Sequence, residues 1–268
     1  MTGTVELRAA ALQIRTLSLR AALAHGACHI GSSLSCADIL AVLFAGDTMR
    51  RDTPERRGDR FVLSKGHAAA ALYAALAVRG DIDGEEMVAR YSTDGSAYAG
   101  HAEHHVPGVE ATTGSLGHGL SLALGMALSD RIEASDRRTV CLLGDGELGE
   151  GSVWEAVALA GHLRVGTLSA IVDANGLQGL GRVEEIASLS SLAARFESHG
   201  WSVADVDGHD CDALVASLQH AADRPRCVIA RTVKARGIPS LEGTVMSHYR
   251  SYRGDDAAAI LAELEAAA

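Results

Sequence analysis

Leu143-Gly144-Asp145-Gly146-Glu147-Leu148-Gly149-Glu150-Gly151 is the stretch that decides how this chain folds. Directly before it, Thr139-Val140-Cys141-Leu142-Leu143 is a short, uninterrupted apolar run, the pattern of a strand buried on both faces. Directly after it, Ser152 to Leu163 has the length of a helix, and Leu168-Ser169-Ala170-Ile171-Val172 is a second run of the first kind. Strand, glycine-rich turn, helix and strand make a right-handed βαβ unit, so the two strands are expected to run parallel.

The same signature extends outward in both directions. Toward the N-terminus, Arg60-Phe61-Val62-Leu63-Ser64 predicts a strand that delivers the loop Lys65-Gly66-His67, and Leu7 to Ala24, Ser35 to Phe44 and Ala68 to Val78 predict helices. Toward the C-terminus, Ser188 to His199 reads as a helix, Trp201-Ser202-Val203 and Cys227-Val228-Ile229-Ala230 as strands, and Ala257 to Ala268 as an alanine-rich helical tail. No repeat, low-complexity block or linker interrupts the sequence. The expectation is an α/β fold in one domain over residues 1–268, a doubly wound, mainly parallel sheet with helices on both faces.

Composition narrows the partners. With 24 Lys and Arg against 34 Asp and Glu, the formal charge is −10, which gives no general attraction to nucleic acid or to an anionic membrane. No stretch approaches the roughly 20 apolar residues needed to cross a bilayer, and the N-terminus lacks the basic-then-apolar pattern of a signal peptide. The five cysteines, Cys28, Cys36, Cys141, Cys211 and Cys227, are odd in number and form no C-x-x-C, which argues for a reducing compartment and against a zinc ribbon. A cytoplasmic location is expected, and any anionic ligand must be neutralised locally.

The turn admits two chemical readings. As a pattern it satisfies G-x-G-x-x-G, and Asp173 stands at the end of the next strand, where a dinucleotide-binding fold keeps its ribose acid; an NAD-dependent Rossmann oxidoreductase is one reading. Electrostatics oppose it. Asp145, Glu147 and Glu150 would crowd a pyrophosphate, and like charges about 4 Å apart cost roughly 4 kcal/mol at an effective dielectric near 20. A helix N-terminus returns about 2 kcal/mol at best. A divalent cation between Asp145 and a diphosphate reverses the sign. Mg²⁺, which combines one or two side-chain oxygens with phosphate oxygens and water, suits the position, and Asn175 at the next strand end supplies a second oxygen.

Gly144-Asp145-Gly146 followed, after 28 intervening residues, by Asn175 resembles the thiamine diphosphate motif, in which Asp and Asn hold the metal that holds the diphosphate. Within that class the chain resembles the N-terminal part of transketolases. The matches include Cys28-His29-Ile30-Gly31, Leu63-Ser64-Lys65-Gly66-His67-Ala68, Gly100-His101, Pro107-Gly108-Val109-Glu110, Thr113-Gly114-Ser115-Leu116-Gly117-His118-Gly119 and Asp173-Ala174-Asn175-Gly176-Leu177-Gln178-Gly179.

The resemblance implies thiamine diphosphate and Mg²⁺ as cofactors, with Asp145, Asn175 and the Leu177 carbonyl as metal ligands and Gly144, Gly146 and Glu147 against the cofactor. It implies that His67 and His248 donate to diphosphate oxygens, that Gly114, Ser115 and Leu116 flank the aminopyrimidine or central ring, and that Asp173 helps fix the thiazolium side. His29 and His101 would face the substrate carbonyl and hydroxyls as donors and proton carriers titrating near neutrality. The reaction implied is transfer of a two-carbon ketol unit from a ketose to an aldose, the cofactor providing the electron sink. Formation of an acyloin or a two-carbon acyl unit in a specialised pathway is the alternative within the same cofactor class.

Two features qualify the resemblance. Transketolases usually carry Gly after the histidine matched by His248, whereas this chain has His248-Tyr249-Arg250, and Arg250 or Arg253 could meet a substrate carboxylate, phosphate or sulfonate. Too few residues follow Asn175 to hold the pyrimidine-binding and C-terminal domains of a full transketolase. The chain is therefore expected to be the N-terminal subunit of a split enzyme, active only with a C-terminal subunit in an α2β2 assembly. Glu150 and Glu155 match acidic residues that link active sites across the family's dimer contact; the plain alternative is that they cap the helix beginning near Ser152. Among the remaining histidines, His25, His199 and His220 are expected at helix ends, His104 and His105 as exposed passengers, and His118 beside the cofactor loop.

Overall fold

A computed structural model describes residues 3–46, 48–187, 190–219 and 223–267. Five strands, β1 (Arg60–Leu63), β2 (Thr139–Gly144), β3 (Leu168–Ala174), β6 (Ser202–Asp207) and β7 (Arg226–Arg231), form one sheet in the order β1-β2-β3-β7-β6. Every neighbouring pair is parallel. A separate two-residue ladder, β4 (Leu177–Gln178) with β5 (Gly181–Arg182), is antiparallel and leads into the single turn α8 (Val183–Ile186). The chain steps from β1 through β2 to β3, then reaches the far edge at β6 and returns to β7, so the direction of travel reverses beside β3.

Alternation along each strand sorts side chains onto two faces. Phe61, Leu63, Val140, Leu142, Ile171 and Val228 pack on one face with α1 (Thr4–His25), α3 (Ala37–Phe44), α4 (Ala69–Arg79), α5 (Gly84–Arg90) and α10 (Cys211–Leu218). Val62, Cys141, Leu143, Ala170, Val172 and Ile229 pack on the other with α6 (Gly119–Ile132), α7 (Gly151–His162) and α9 (Leu192–Ser198). Successive residues thus enter opposite cores, which is why these strands read as continuous apolar runs. A third core joins α1 and the short α2 (Ile30–Ser35) to Ala235, Ile238, Leu241 and α12 (Gly254–Ala266). Asp83 and Asp210 start α5 and α10 by accepting backbone N–H groups two and three residues on, at 2.8–3.1 Å.

The doubly wound parallel sheet expected from the sequence is the observed one. The helix expected over 188–199 is confined to Leu192–Ser198, residues 188 and 189 lying outside the described residues, as does His220. The tail helix begins at Gly254, earlier than its alanines suggest, with Asp255 and Asp256 in its first turn. No helix among the described residues is long and apolar enough to cross a membrane. All five cysteines are free thiols.

Candidate functional site

Loops leaving the carboxyl ends of β1, β2, β3 and β7 converge on a cleft of about 320 Å³. This is where a parallel α/β sheet offers its crevice, because strand ends and helix starts alternate there. The register places Gly144 opposite Asp173, so the Asp145 turn and the Asn175 turn are neighbours in space.

The β2 end is a tight acidic turn. Its glycine-rich segment Gly146–Gly149 forms a single 3-10 turn before α7 begins at Gly151. Asp145 is buried; its carboxylate accepts the Gly146 N–H at 2.8 Å and the Gly176 N–H at 2.6 Å. Burial, together with the nearby Asp173 carboxylate, pushes its pKa up to about 6. Gly146 has no room for a side chain, since a Cβ there would lie 2.7 Å from that of Gln178. Glu147 turns inward, accepting from Ser64 Oγ, from Gly117 N at 2.8 Å and from Gly144 N at 3.2 Å.

Asn175 and Leu177 complete the turn after β3. The Asn175 Oδ1 accepts the Leu177 N–H at 3.1 Å, and its amide donates to Asp173 at 3.3 Å. The Leu177 carbonyl oxygen lies 3.5 Å from Lys234 Nζ, which also donates to Ser32 Oγ at 3.2 Å. Burial, with Lys65 nearby, pulls the Lys234 pKa down to about 8.

Four histidines stand in the cleft. The His29 ring centre is 5.3 Å from that of His67, 5.9 Å from His101 and 5.1 Å from His248. His29 adopts a left-handed backbone conformation (φ 68°), costly for a non-glycine residue, and is tied there by its N–H donating to the His248 carbonyl at 2.8 Å. His248 Nδ1 is buried without a hydrogen-bond partner among the described residues. Burial and neighbouring cations or imidazoles lower His29 to about 4 and His248 to about 3, and His67 well below its ordinary value. This corrects the expectation that His29 titrates near neutrality: at pH 7 it is neutral, with one donor and one acceptor nitrogen.

Of the residues expected at the site, His29, His67, His101, His248, Gly114, Leu116, Gly144, Asp145, Gly146, Glu147, Asn175 and Leu177 are brought together in the lining of this cleft. Asp173 does not. It is fully buried beneath the cleft floor, and its carboxylate is taken by Lys65 Nζ, Ser35 Oγ at 2.6 Å, Thr232 Oγ1 and the Asn175 amide. Ser115 is exposed outside the lining; its carbonyl and that of Leu116 face His118 Nδ1 at 3.3 and 3.2 Å. Glu150 and Glu155 are exposed on the α7 side, and Glu150 occupies the N-cap position without a side-chain capping bond. Arg250 and Arg253 lie outside the cleft lining, and His104 and His105 are exposed with their rings 3.9 Å apart.

Sequence reasoning missed Lys65, Lys234 and Gln178 as lining residues. The available signal was a lysine just past a buried strand, as in Ser64-Lys65 after β1 and Val233-Lys234 after β7. A polar chain holds the second of these from below. Arg15 Nη1 donates to Asp38 at 3.3 Å, Asp38 meets His209 Nδ1 at 2.6 Å, and His209 Nε2 accepts the Val233 N–H at 2.9 Å. His209 is thereby fixed in its Nδ1–H tautomer beside Lys234.

The donor set suits a metal-bridged diphosphate. Among the described residues, Asp145 is a buried carboxylate with no cation paired to it, and His248 offers a ring nitrogen that has no hydrogen-bond partner. The dinucleotide reading fails on the same ground, because the turn's Gly144 and Gly146 amides, which would have to greet a pyrophosphate, are taken by Glu147 and Asp145.

Residues 7–265 match the family described as transketolase, thiamine diphosphate binding domain. The chain is 39% identical over 227 residues to an apulose-4-phosphate transketolase subunit of Phocaeicola vulgatus, covering 82% of this chain and 80% of that one. It is 36% identical over 269 residues to the 6-deoxy-6-sulfo-D-fructose transketolase subunit SqwG of Clostridium sp., covering 97% of each. Among solved structures, the transketolase from Leishmania mexicana superposes with a TM-score of 0.89 at 29% identity, over 97% of this chain and 41% of that one. This chain thus spans about two fifths of that enzyme's length, and it belongs to the transketolase family, in the place of the N-terminal, thiamine diphosphate-binding part.

Proposed function

We propose that this chain is the diphosphate-binding subunit of a split transketolase, moving a two-carbon ketol unit from a ketose to an aldose with thiamine diphosphate and Mg²⁺. The observation that carries the reading is the cleft itself, where Asp145, Asn175 and the Leu177 carbonyl meet four histidines, one of them with an unsatisfied buried nitrogen. Support for a separate partner comes from relatives named as subunits, one of them matched across 97% of both chains. The partner is inferred to carry the pyrimidine-binding domain, in an α2β2 assembly, with Glu150 and Glu155 on the exposed surface between active sites.

When bound, thiamine diphosphate supplies the electron sink that lets a carbon–carbon bond next to a ketose carbonyl break. The chain's own groups bind and orient. Asp145, Asn175 and the Leu177 carbonyl would hold Mg²⁺, and the His248 and His67 rings would donate to diphosphate oxygens. Because His29 stays neutral at pH 7, its ring can donate to one sugar oxygen and accept from another without adding charge to the cleft. His101, at the open side, is placed to exchange protons with substrate hydroxyls and solvent. Glu147, in the lining, fixes the Gly117 and Gly144 amides, and Asp173, beneath the floor, fixes Lys65.

Calorimetric titration of thiamine diphosphate into the mixed subunits tests the assignment. Asp145→Ala is expected to abolish Mg²⁺-dependent binding while both subunits stay folded by circular dichroism. Unchanged binding would remove Asp145 from the metal site and the reading with it.

A further inference from the structure

The residue after His248, where this chain departs from the family pattern, has a defined place in the cleft. Tyr249 closes the short helix α11 (Met246–Tyr249). Its ring stands edge-on to His248 at 4.4 Å and to His29 at 5.8 Å between centres, and it lines the cleft. Its hydroxyl lies over Gly179: a Cβ at that position would fall 2.5 Å from Oη and 2.7 Å from Cε2. Glycine at 179 is therefore what admits the ring. Tyr249 is 62% exposed, so most of the side chain is open to whatever enters beside His29.

Charge around Tyr249 is committed elsewhere. Arg250 pairs with Asp256 at 2.9 Å and lies over the Tyr252 ring, 5.1 Å from its centre. The Arg253 guanidinium packs against Gly26. The cations that do line the cleft, Lys65 and Lys234, are buried at its floor and hold Asp173, Ser32 and the Leu177 carbonyl. The wall this chain offers beyond His29 is thus neutral and aromatic.

We propose that Tyr249, seated on Gly179, is a specificity-determining residue that narrows the substrate channel and meets the ketose chain beyond the transferred carbons through its ring and hydroxyl. Selection by this half of the channel then follows donor length and hydroxyl contact, not terminal charge. A phenol suits that task because one side chain presents both an apolar face and a hydrogen-bonding tip. The inference rests on the transketolase reading above.

The test uses this chain reconstituted with the subunit that carries the pyrimidine-binding domain. Donors are ketoses of five, six and seven carbons, each with and without a terminal phosphate. One carbon's worth of space in a pocket discriminates by roughly 10–200-fold. Tyr249→Ala is expected to raise kcat/KM for the seven-carbon relative to the five-carbon donor by about tenfold or more. Gly179→Ala, which displaces the ring, is expected to shift the ratio the same way. Thiamine diphosphate affinity, read separately by calorimetry, is expected to stay within about threefold in Tyr249→Ala, a shift worth less than 1 kcal/mol.

Unchanged donor ratios in both variants, with transfer intact, would overturn the role of Tyr249 and leave the transketolase reading standing. A loss of phosphorylated donors alone in Arg250→Ala would overturn the neutral wall. A large fall in cofactor affinity in Tyr249→Ala would make the ring a cofactor contact instead. Absence of transfer from any ketose by the unaltered complex would overturn the transketolase reading itself.

Discussion

Two carboxylates, Asp145 and Asp173, stand at adjacent strand ends, each with a buried lysine nearby, and they are in opposite states. Asp173 is in direct contact with Lys65. Although burial opposes both charges, each partner holds the other ionised, with Asp173 below its ordinary range and Lys65 above. Asp145 and Lys234 share no ion pair among the described residues, and burial drives both toward neutrality, the acid up to about 6 and the amine down to about 8. The first set is complete within the chain and serves the fold. The second has no such partner among the described residues, and that is the arrangement the proposed metal and diphosphate site calls for.

The largest effect is expected where the finished pair is broken. Lys65→Met leaves Asp173 buried without its cation and should cost about 3–5 kcal/mol, seen as a lower denaturant midpoint at unchanged slope. Lys65→Met combined with Asp173→Asn should recover most of that loss. If the single and double variants are equally destabilised, the two sets do not differ as described.

Relieving the unfinished set should do the reverse. Asp145→Asn removes a charge that burial disfavours, but its amide can accept only one of the Gly146 and Gly176 N–H groups that the carboxylate holds, so it should stabilise the ligand-free chain at pH 7 by no more than about 2 kcal/mol, while losing the stabilisation expected from Mg²⁺ and thiamine diphosphate. The sign with pH follows from the raised value. The folded form binds the proton more tightly than the unfolded form, so this group's stabilising contribution is full below about pH 4 and is lost as pH rises through about 6. Melting curves between pH 4 and 7 should show that decline in the parent chain and not in the variant.

A smaller effect sharpens the comparison from below. His209→Ala strips Asp38 of one partner and leaves the Val233 N–H unsatisfied, at about 1–3 kcal/mol. It should also loosen Lys234, read as faster hydrogen exchange of amides 232–235. Equal exchange in parent and variant would show that Lys234 is positioned without this chain of contacts.

Much of this was legible in the sequence, for identifiable reasons. Strands buried on both faces announce themselves as apolar runs, and Gly144, Asp145, Asn175 and Leu177 sit at or just past their carboxyl ends, so position along the chain located them, whereas His29, His101, Gly114, Leu116 and His248 lie in other segments and were legible only through the family resemblance. What position cannot tell is direction. Asp173 follows Val172, whose side chain enters one core, and therefore points to the opposite face, toward Lys65 and Ser35, not into the cleft. Lys65 lies 108 residues from Asp173, so no local spacing could pair them. Helix α6 went unread because Gly119 and Gly125 disguise it, although Leu120, Ala123, Leu124 and Ala127 keep the helical period on its buried side. The glycine-rich turn shares its pattern with a dinucleotide fold, and its acidic residues already spoke against that reading in the sequence; the destination of its amides adds a second ground that only the structure supplies.

Helix α12 reaches back across the molecule to seat Ile260 and Leu264 against Ala235, Ile238 and Leu241, the segment that immediately follows Lys234. The tail is therefore a brace: apolar surface it removes from water keeps the lysine's loop from wandering, although no residue of the helix touches the cleft. Trimming or fusing the chain at this end would change the stiffness of a distant binding surface, so a tag placed there is not an innocent addition.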